Sequence, residues 1–297
     1  MKKLVLASLS VFLLQSCNTS NDVVSLLNED TQNLTQLSKT SESYHNPNFV
    51  RKMKNKKTYV FKGDVSTNSI CGKNDLQHVN DYDGTLGQPV SFVKKYKSAV
   101  GAMEYSPSDS SSKFCSGTLI DKNLFLTASH CVDNAVGKAV AFNYEKVKGS
   151  TSLEKQEHFK ILKIVEDGDS KGLDYAILEL EGNPGDKYGV TPIKVEMPED
   201  NHLLTIIQHP KGQPKQVESG PKVGVAGVYM QYADLDTEPG SSGSGVLNKD
   251  GFLVGVHTNG GCYSSGGANK GVLMTEIAKA SDLVKKLAVT SSLRVRK

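Results

Sequence analysis

Gly240-Ser-Ser-Gly-Ser-Gly245 is the stretch on which the reading of this chain turns. Its glycines and small side chains make a tight turn in which the hydroxyl of Ser242 stands clear of its own backbone. Alone, the stretch says little, because Gly/Ser runs commonly serve as linkers. Two other segments answer it: Leu126-Thr-Ala-Ser-His-Cys-Val132, which presents His130, and Asp174-Tyr-Ala-Ile-Leu178, which opens on an aspartate. A histidine, an aspartate and a serine, in that chain order, are the parts of a nucleophilic triad. A serine hydroxyl is a poor nucleophile at neutral pH, so His130 must accept its proton while Asp174 fixes the imidazole tautomer.

The texture around these segments is that of strands. Ser98-Ala-Val-Gly-Ala-Met103, Phe159-Lys-Ile-Leu-Lys-Ile-Val165, Tyr175-Ala-Ile-Leu-Glu-Leu180 and Gly251-Phe-Leu-Val-Gly-Val-His257 are short apolar runs separated by Gly, Pro, Asn and Asp. The one stretch with a helical period is near the end, where Ile277, Ala280, Leu283, Val284 and Leu287 share a face. Many strands and one terminal helix predict an all-β barrel or sandwich.

Composition narrows the function classes. The chain has 297 residues, 37% hydrophobic, and a net charge of +3 that is too balanced for a nucleic-acid binder. It contains no phosphate-loop, HExxH or CxxC spacing, so no cofactor and no metal are expected. Lys2 and Lys3 precede the apolar run from Leu4 to Leu14, which is the layout of an export signal and too short for a spanning helix. Leu14-Gln-Ser-Cys17 fits the cleavage pattern of a bacterial lipoprotein, with Cys17 as the lipidated residue. Residues 18–68 are rich in Ser, Asn and Thr and turn basic at Arg51-Lys-Met-Lys-Asn-Lys-Lys57, which reads as a propeptide or tether.

The three triad segments, with Phe114-Cys-Ser-Gly-Thr-Leu-Ile120 and Thr237-Glu-Pro-Gly before the nucleophile turn, resemble chymotrypsin-like serine proteases. The resemblance runs from near Ile70 to the C-terminal helix. It implies two six-stranded antiparallel β-barrels with the triad in the cleft between them. The organisation expected is a signal peptide over 1–17, a propeptide or tether over 18–68 and a protease domain over 69–297. Within it, barrel 1 spans about 85–183, barrel 2 about 195–275 and a C-terminal helix about 275–288. The backbone amides of Gly240 and Ser242 are implied as the oxyanion hole. Gly245 stands where the family has proline, from which a looser turn is expected. His45, His78, His158, His202 and His209 lack triad-like context, and His209 in Gln208-His-Pro-Lys-Gly212 reads as a structural turn.

Thr237, five residues before Ser242, and His257, fifteen after it in Gly255-Val-His-Thr-Asn-Gly260, resemble the bacterial glutamyl endopeptidase branch, as does Met230-Gln-Tyr232. There the threonine and histidine hold a substrate carboxylate, which must be hydrogen-bonded to be buried. Asp236 supports a competing reading, because trypsin-type enzymes place a Lys- or Arg-binding aspartate there. A catalytically silent surface binding module on the same fold is a third.

Setting Cys17 aside, four cysteines remain, and their number alone allows three pairings. The resemblance implies a bridge between Cys115 and Cys131 beside the catalytic histidine, which leaves Cys71 with Cys262. Ser69-Ile-Cys-Gly-Lys-Asn-Asp75 resembles the mature start of some glutamyl endopeptidases. The expectation is thus an exported monomer acting on proteins or peptides, membrane-anchored through Cys17 before processing or secreted after it, and binding no nucleic acid.

Overall fold

The computed structural model describes residues 69–263 and 266–294. The signal, lipidation and propeptide readings, and His45, lie outside those residues.

The chain enters through a short strand, β1 (Gln77–His78), and a helix, α1 (Val90–Tyr96). Six strands follow: β2 (Val100–Glu104), β3 (Lys113–Leu119), β4 (Leu124–Thr127), β5 (Ala139–Phe142), β6 (Glu157–Asp167) and β7 (Ala176–Leu180). All their pairings are antiparallel and they close in the order β2-β3-β4-β7-β6-β5. Three of the apolar runs that read as strands in the sequence, 98–103, 159–165 and 175–180, are walls of this barrel. Phe125, Phe142 and Tyr188 fill it, with Phe142 stacked on Tyr188 at 4.8 Å between ring centres. Tyr188 arrives on a short helix, α2 (Pro184–Tyr188), after which the chain crosses over.

The second barrel is built from β8 (Leu203–Gln208), β9 (Gln216–Ala226), β10 (Tyr229–Tyr232), β11 (Gly245–Asn248), β12 (Leu253–Asn259) and, after the two-residue strands β13 (Cys262–Tyr263) and β14 (Gly266–Gly267), β15 (Asn269–Leu273). Its order is β8-β9-β10-β15-β12-β11, closed by β11 on β8, with β1 added on β9. Leu204, Ile206, Met230, Val246 and Val254 form its interior. The fold is therefore two closed six-stranded antiparallel barrels with helix at the C-terminus, the chymotrypsin-like architecture.

Two local expectations are corrected. The C-terminal helix is two helices, α3 (Met274–Ala280) and α4 (Asp282–Arg294), divided at Ser281. Ser281 takes an extended conformation and its hydroxyl accepts the Val284 N–H at 3.0 Å, so a new helix is capped where one was expected to continue. The other is α1, where no helix was expected. Seven residues are too few for a helical period to register, yet Val93 and Tyr96 bury one face of it and Phe92 packs on Tyr96.

A buried ion pair ties the barrels together. Lys215, at the entry to β9, reaches Glu145 of the first barrel's β5–β6 connection at 2.8 Å, and Lys97 pairs with the same carboxylate. Burial would raise Glu145, but the two lysines hold it down at about 2. Next to this pair, His209 is fully buried, stacked on Tyr144, and its Nδ1 donates to the Gln213 carbonyl at 3.1 Å. Burial, aided by the Lys215 charge, lowers it to about 3. His209 is thus neutral in the fold while its unfolded counterpart takes a proton below pH 6.5. Its contribution to stability is lost as pH falls from about 6.5 toward 3, by up to about 1.4 kcal/mol per pH unit. Urea unfolding between pH 7 and pH 4 should show His209→Asn losing less stability on acidification than the parent. Equal slopes would contradict a neutral buried imidazole.

Candidate active site

His130 lies in a 3₁₀ turn, Ser129–Cys131, at the end of β4, and Asp174 in the turn before β7. Because β4 pairs with β7 through Thr127↔Ala176, these two turns emerge side by side. The His130 Nδ1 and Asp174 Oδ2 are 2.7 Å apart, and the His130 backbone N–H donates to Asp174 Oδ1 at 3.1 Å. One carboxylate thus holds both the ring and the main chain of the histidine. Burial would raise Asp174, but the His130 ring and the backbone N–H groups of His130 and Ser129 hold it below the usual carboxylate range. A carboxylate kept ionised there accepts a hydrogen bond from Nδ1–H, which leaves Nε2 as the basic nitrogen.

Ser242 comes from the other barrel, in the turn before β11. It shares with His130 a cleft of about 390 Å³, bounded by Phe114 and Cys115 on one side and by Pro239 and Gly240 on the other. The turn is held on the first barrel by Ser116 of β3. The Ser116 N–H donates to the Ser242 carbonyl at 2.8 Å, and its hydroxyl donates to the Gly240 carbonyl at 2.8 Å. That same hydroxyl accepts the His209 N–H at 2.9 Å. Nothing in the local sequence marks Ser116, a strand serine, as the partner of a turn more than a hundred residues away.

The turn's amides divide into two groups. Ser241 N–H donates to the Glu238 carbonyl and Gly243 N–H to the His257 carbonyl, at 2.9 and 2.8 Å. Among the described residues, the Gly240 and Ser242 amides donate to no protein acceptor. They are the two N–H groups left for an oxyanion. Gly240 and Gly243 have φ of +97° and +87°, conformations that favour glycine. Gly245, expected to loosen the turn, instead opens β11 in a tight site, where a Cβ would meet Leu253 at 2.5 Å. The glycine is there for close packing of β11, and the turn is not slack.

Thr237 and His257, expected to hold a substrate carboxylate, are both buried. His257 on β12 is buried, its N–H donates to the Ser244 carbonyl at 2.8 Å, and the Tyr232 hydroxyl bonds its Nδ1 at 2.5 Å. Burial, with a lesser push from His130, lowers His257 to about 3, and burial raises Tyr232 well above its ordinary value. Tyr232 therefore keeps its proton and donates it, so the neutral His257 carries its own proton on Nε2. Thr237 is fully buried and its Oγ1 has no hydrogen-bond partner. Asp236, the competing specificity residue, is turned toward the N-terminal segment: its Oδ1 accepts the Cys71 N–H at 2.6 Å and its Oδ2 the Asp75 N–H at 3.3 Å.

Both cysteine pairs are closed, Cys115–Cys131 beside His130 and Cys71–Cys262 beside the β12 wall. The segment after residue 68 docks with them. Ser69 is buried, and its carbonyl accepts the Thr237 N–H at 3.1 Å and the Asn269 side-chain N–H at 2.7 Å. The other described histidines are engaged elsewhere: His158 with Glu104 and Asp109, His202 with Glu199, His209 with Gln213, while His78 lies in β1.

Residues 115–256 match the family model described as a trypsin-like peptidase domain. Among solved structures, the serine endoprotease from Yersinia pestis aligns at 21% identity and a TM-score of 0.49, over 66% of this chain and 65% of that one. The aligned part is thus somewhat under two thirds of the Yersinia chain. A Glu endopeptidase aligns at 24% identity and a TM-score of 0.46, over 62% of this chain and 92% of that one. Human heparin binding protein aligns at 14% identity and a TM-score of 0.50, over 63% and 92%, and supports the fold. No curated protein sequence matches the chain. The double barrel is the chymotrypsin-like fold, and residues 115–256 within it are similar to a trypsin-like peptidase domain.

A Cβ on Gly243 would lie 2.1 Å from Thr127 Oγ1 and 2.3 Å from the Ser116 carbonyl oxygen, in a backbone conformation an L side chain resists. Gly243→Ala should therefore cost about 3 kcal/mol in urea unfolding. It should also slow reaction of Ser242 with a fluorophosphonate by about 100-fold, since a displacement of about 1 Å has that effect.

Proposed function

We propose that this protein is an exported serine endopeptidase that hydrolyses peptide bonds through an acyl-enzyme and cleaves after Glu or Asp. The observation that carries the reading is the single cleft containing the Asp174-held His130, Ser242 and two uncommitted amides. Ser242 Oγ attacks the scissile carbonyl carbon while His130 Nε2 takes the hydroxyl proton. The oxyanion forms between the Gly240 and Ser242 amides, and Asp174 stabilises the imidazolium. As the intermediate collapses, the Nε2 proton passes to the leaving amine. Water, deprotonated by the same nitrogen, then releases the acid and restores Ser242.

The acidic preference is supported by Thr237 and His257. A side-chain carboxylate entering the pocket would accept a hydrogen bond from the His257 Nε2–H, and the partnerless Thr237 hydroxyl supplies a second donor. Asp236 favours this reading over the trypsin-like one, because backbone amides of the 71–75 segment already take its carboxylate. The fully assembled turn speaks against a catalytically silent module.

A fluorophosphonate probe should label Ser242 in the parent and not in Ser242→Ala. Paired peptides differing only in Glu or Lys before the scissile bond should be cleaved with kcat/KM favouring Glu, and Tyr232→Phe should narrow that ratio by roughly fivefold, the worth of one hydrogen bond. Preference for Lys would transfer the pocket to Asp236. The buried station of Ser69 also supports a processing step: cleavage near Asn68–Ser69 activates the enzyme and severs it from the lipid on Cys17. Sequencing the N-terminus of active material should find a start near Ser69, and an active form still beginning at Cys17 contradicts the step.

A further inference from the structure

Behind Asp236 lies a group of carboxylates that the proposed reaction does not use. Asp75, Glu218 and Asp236 each bring one carboxylate oxygen within 4.8 Å of the others. They come from three places: the segment entering β1, the start of β9, and the loop before the nucleophile turn. The Cys71–Cys262 bridge and the pairing of Gln77 with Val217 bring the first to the second. Asp236 and Glu218 are 0% and 1% exposed.

Two oxygens at this place lack partners. Glu218 Oε1 accepts the Ser219 N–H at 3.0 Å, but its Oε2 is buried with no hydrogen bond. Gln208 is fully buried as well. Its Nε2 donates to the Asp236 carbonyl at 2.7 Å, and its Oε1 has no partner. The β8–β9 register, Ile206↔Glu218 and Gln208↔Gln216, sets Gln208 and Glu218 on one face of neighbouring strands. Each unpartnered buried oxygen carries a desolvation cost, and carboxylates this close repel in a low-dielectric interior. Burial and the charges of Asp75 and Asp236 push Glu218 well above the usual carboxylate range.

A cation relieves both costs. The donors are all hard oxygens, from carboxylates and an amide, and they include no sulfur or imidazole. Calcium binds such oxygens at about 2.4 Å, so two ligands on opposite sides of the ion are about 4.8 Å apart. We propose that Asp75, Glu218 and Asp236, with Gln208 Oε1 as a fourth oxygen, form a calcium site that clamps the N-terminal segment to the wall of the specificity pocket.

The test is thermal unfolding of the full chain carrying Ser242→Ala, which prevents self-cleavage and makes the readout independent of activity. At about pH 7.5, raising calcium from a chelated solution to about 10 mM should raise Tm by roughly 5 °C or more. Glu218→Gln should abolish the shift, and Asp75→Asn, at a half-buried position, should weaken it. No shift in the parent overturns the proposal, as does an equal shift with magnesium or a shift that survives both variants. A higher Tm in Glu218→Gln without any calcium response in the parent identifies a trapped proton and overturns it too.

Discussion

The contacts of Ser116 are the constraint on which the site depends. A serine in the middle of a first-barrel strand holds the Gly240 and Ser242 carbonyls of a second-barrel turn, with both its N–H and its hydroxyl. Binding those carbonyls orients the peptide units of the turn, and so decides which amides face the cleft. Thr127 backs the arrangement by donating its hydroxyl to the Ser116 carbonyl at 2.8 Å, and Gly243 fits against both because it has no Cβ. His130 and Asp174 are organised within the first barrel alone, so Ser116 is what brings the second barrel's contribution to them. Such preorganisation matters because donors fixed before the reaction need no reorganisation during it.

Electrostatics in the interior follow one pattern. Groups that must stay ionised are given partners: Asp174 has His130 and backbone amides, and Glu145 has two lysines. Groups that serve as neutral hydrogen-bonders are kept neutral chiefly by burial, as His209 and His257 are. Tyr232 completes the second case by setting which nitrogen of His257 carries the proton. The 69–77 segment is part of the same construction, since it supplies the amides on Asp236, the carbonyl on Thr237 and one half of a disulfide.

The legible parts of the fold are those with short-range signatures. Apolar runs of strand length, cut by Gly, Pro, Asn and Asp, mark β2, β6, β7 and β12. The His130, Asp174 and Ser242 segments are each recognisable within a few residues. What escaped had either too little length or a partner too far away. Helix α1 is seven residues, shorter than the window in which a helical period registers. The break at Ser281 interrupts an apolar face that continues on both sides, because a side-chain cap, not the pattern, ends the first helix. Gly245 invited a reading of slack, but its neighbours Leu253 and Thr118 come from other strands.

The amino-acid sequence by itself determined the strand-rich architecture and the residue types of the nucleophile turn, since both rest on patterns a few residues long. Only the tertiary structure decided that Ser116 holds the turn, that Tyr232 sets the tautomer of His257, and that Asp236 faces the N-terminal segment together with Asp75 and Glu218. Each of these is a hydrogen bond or charge contact between residues 25 to 165 positions apart. Directions of side chains across such separations follow from barrel closure, strand register and burial, which exist only once the chain has folded.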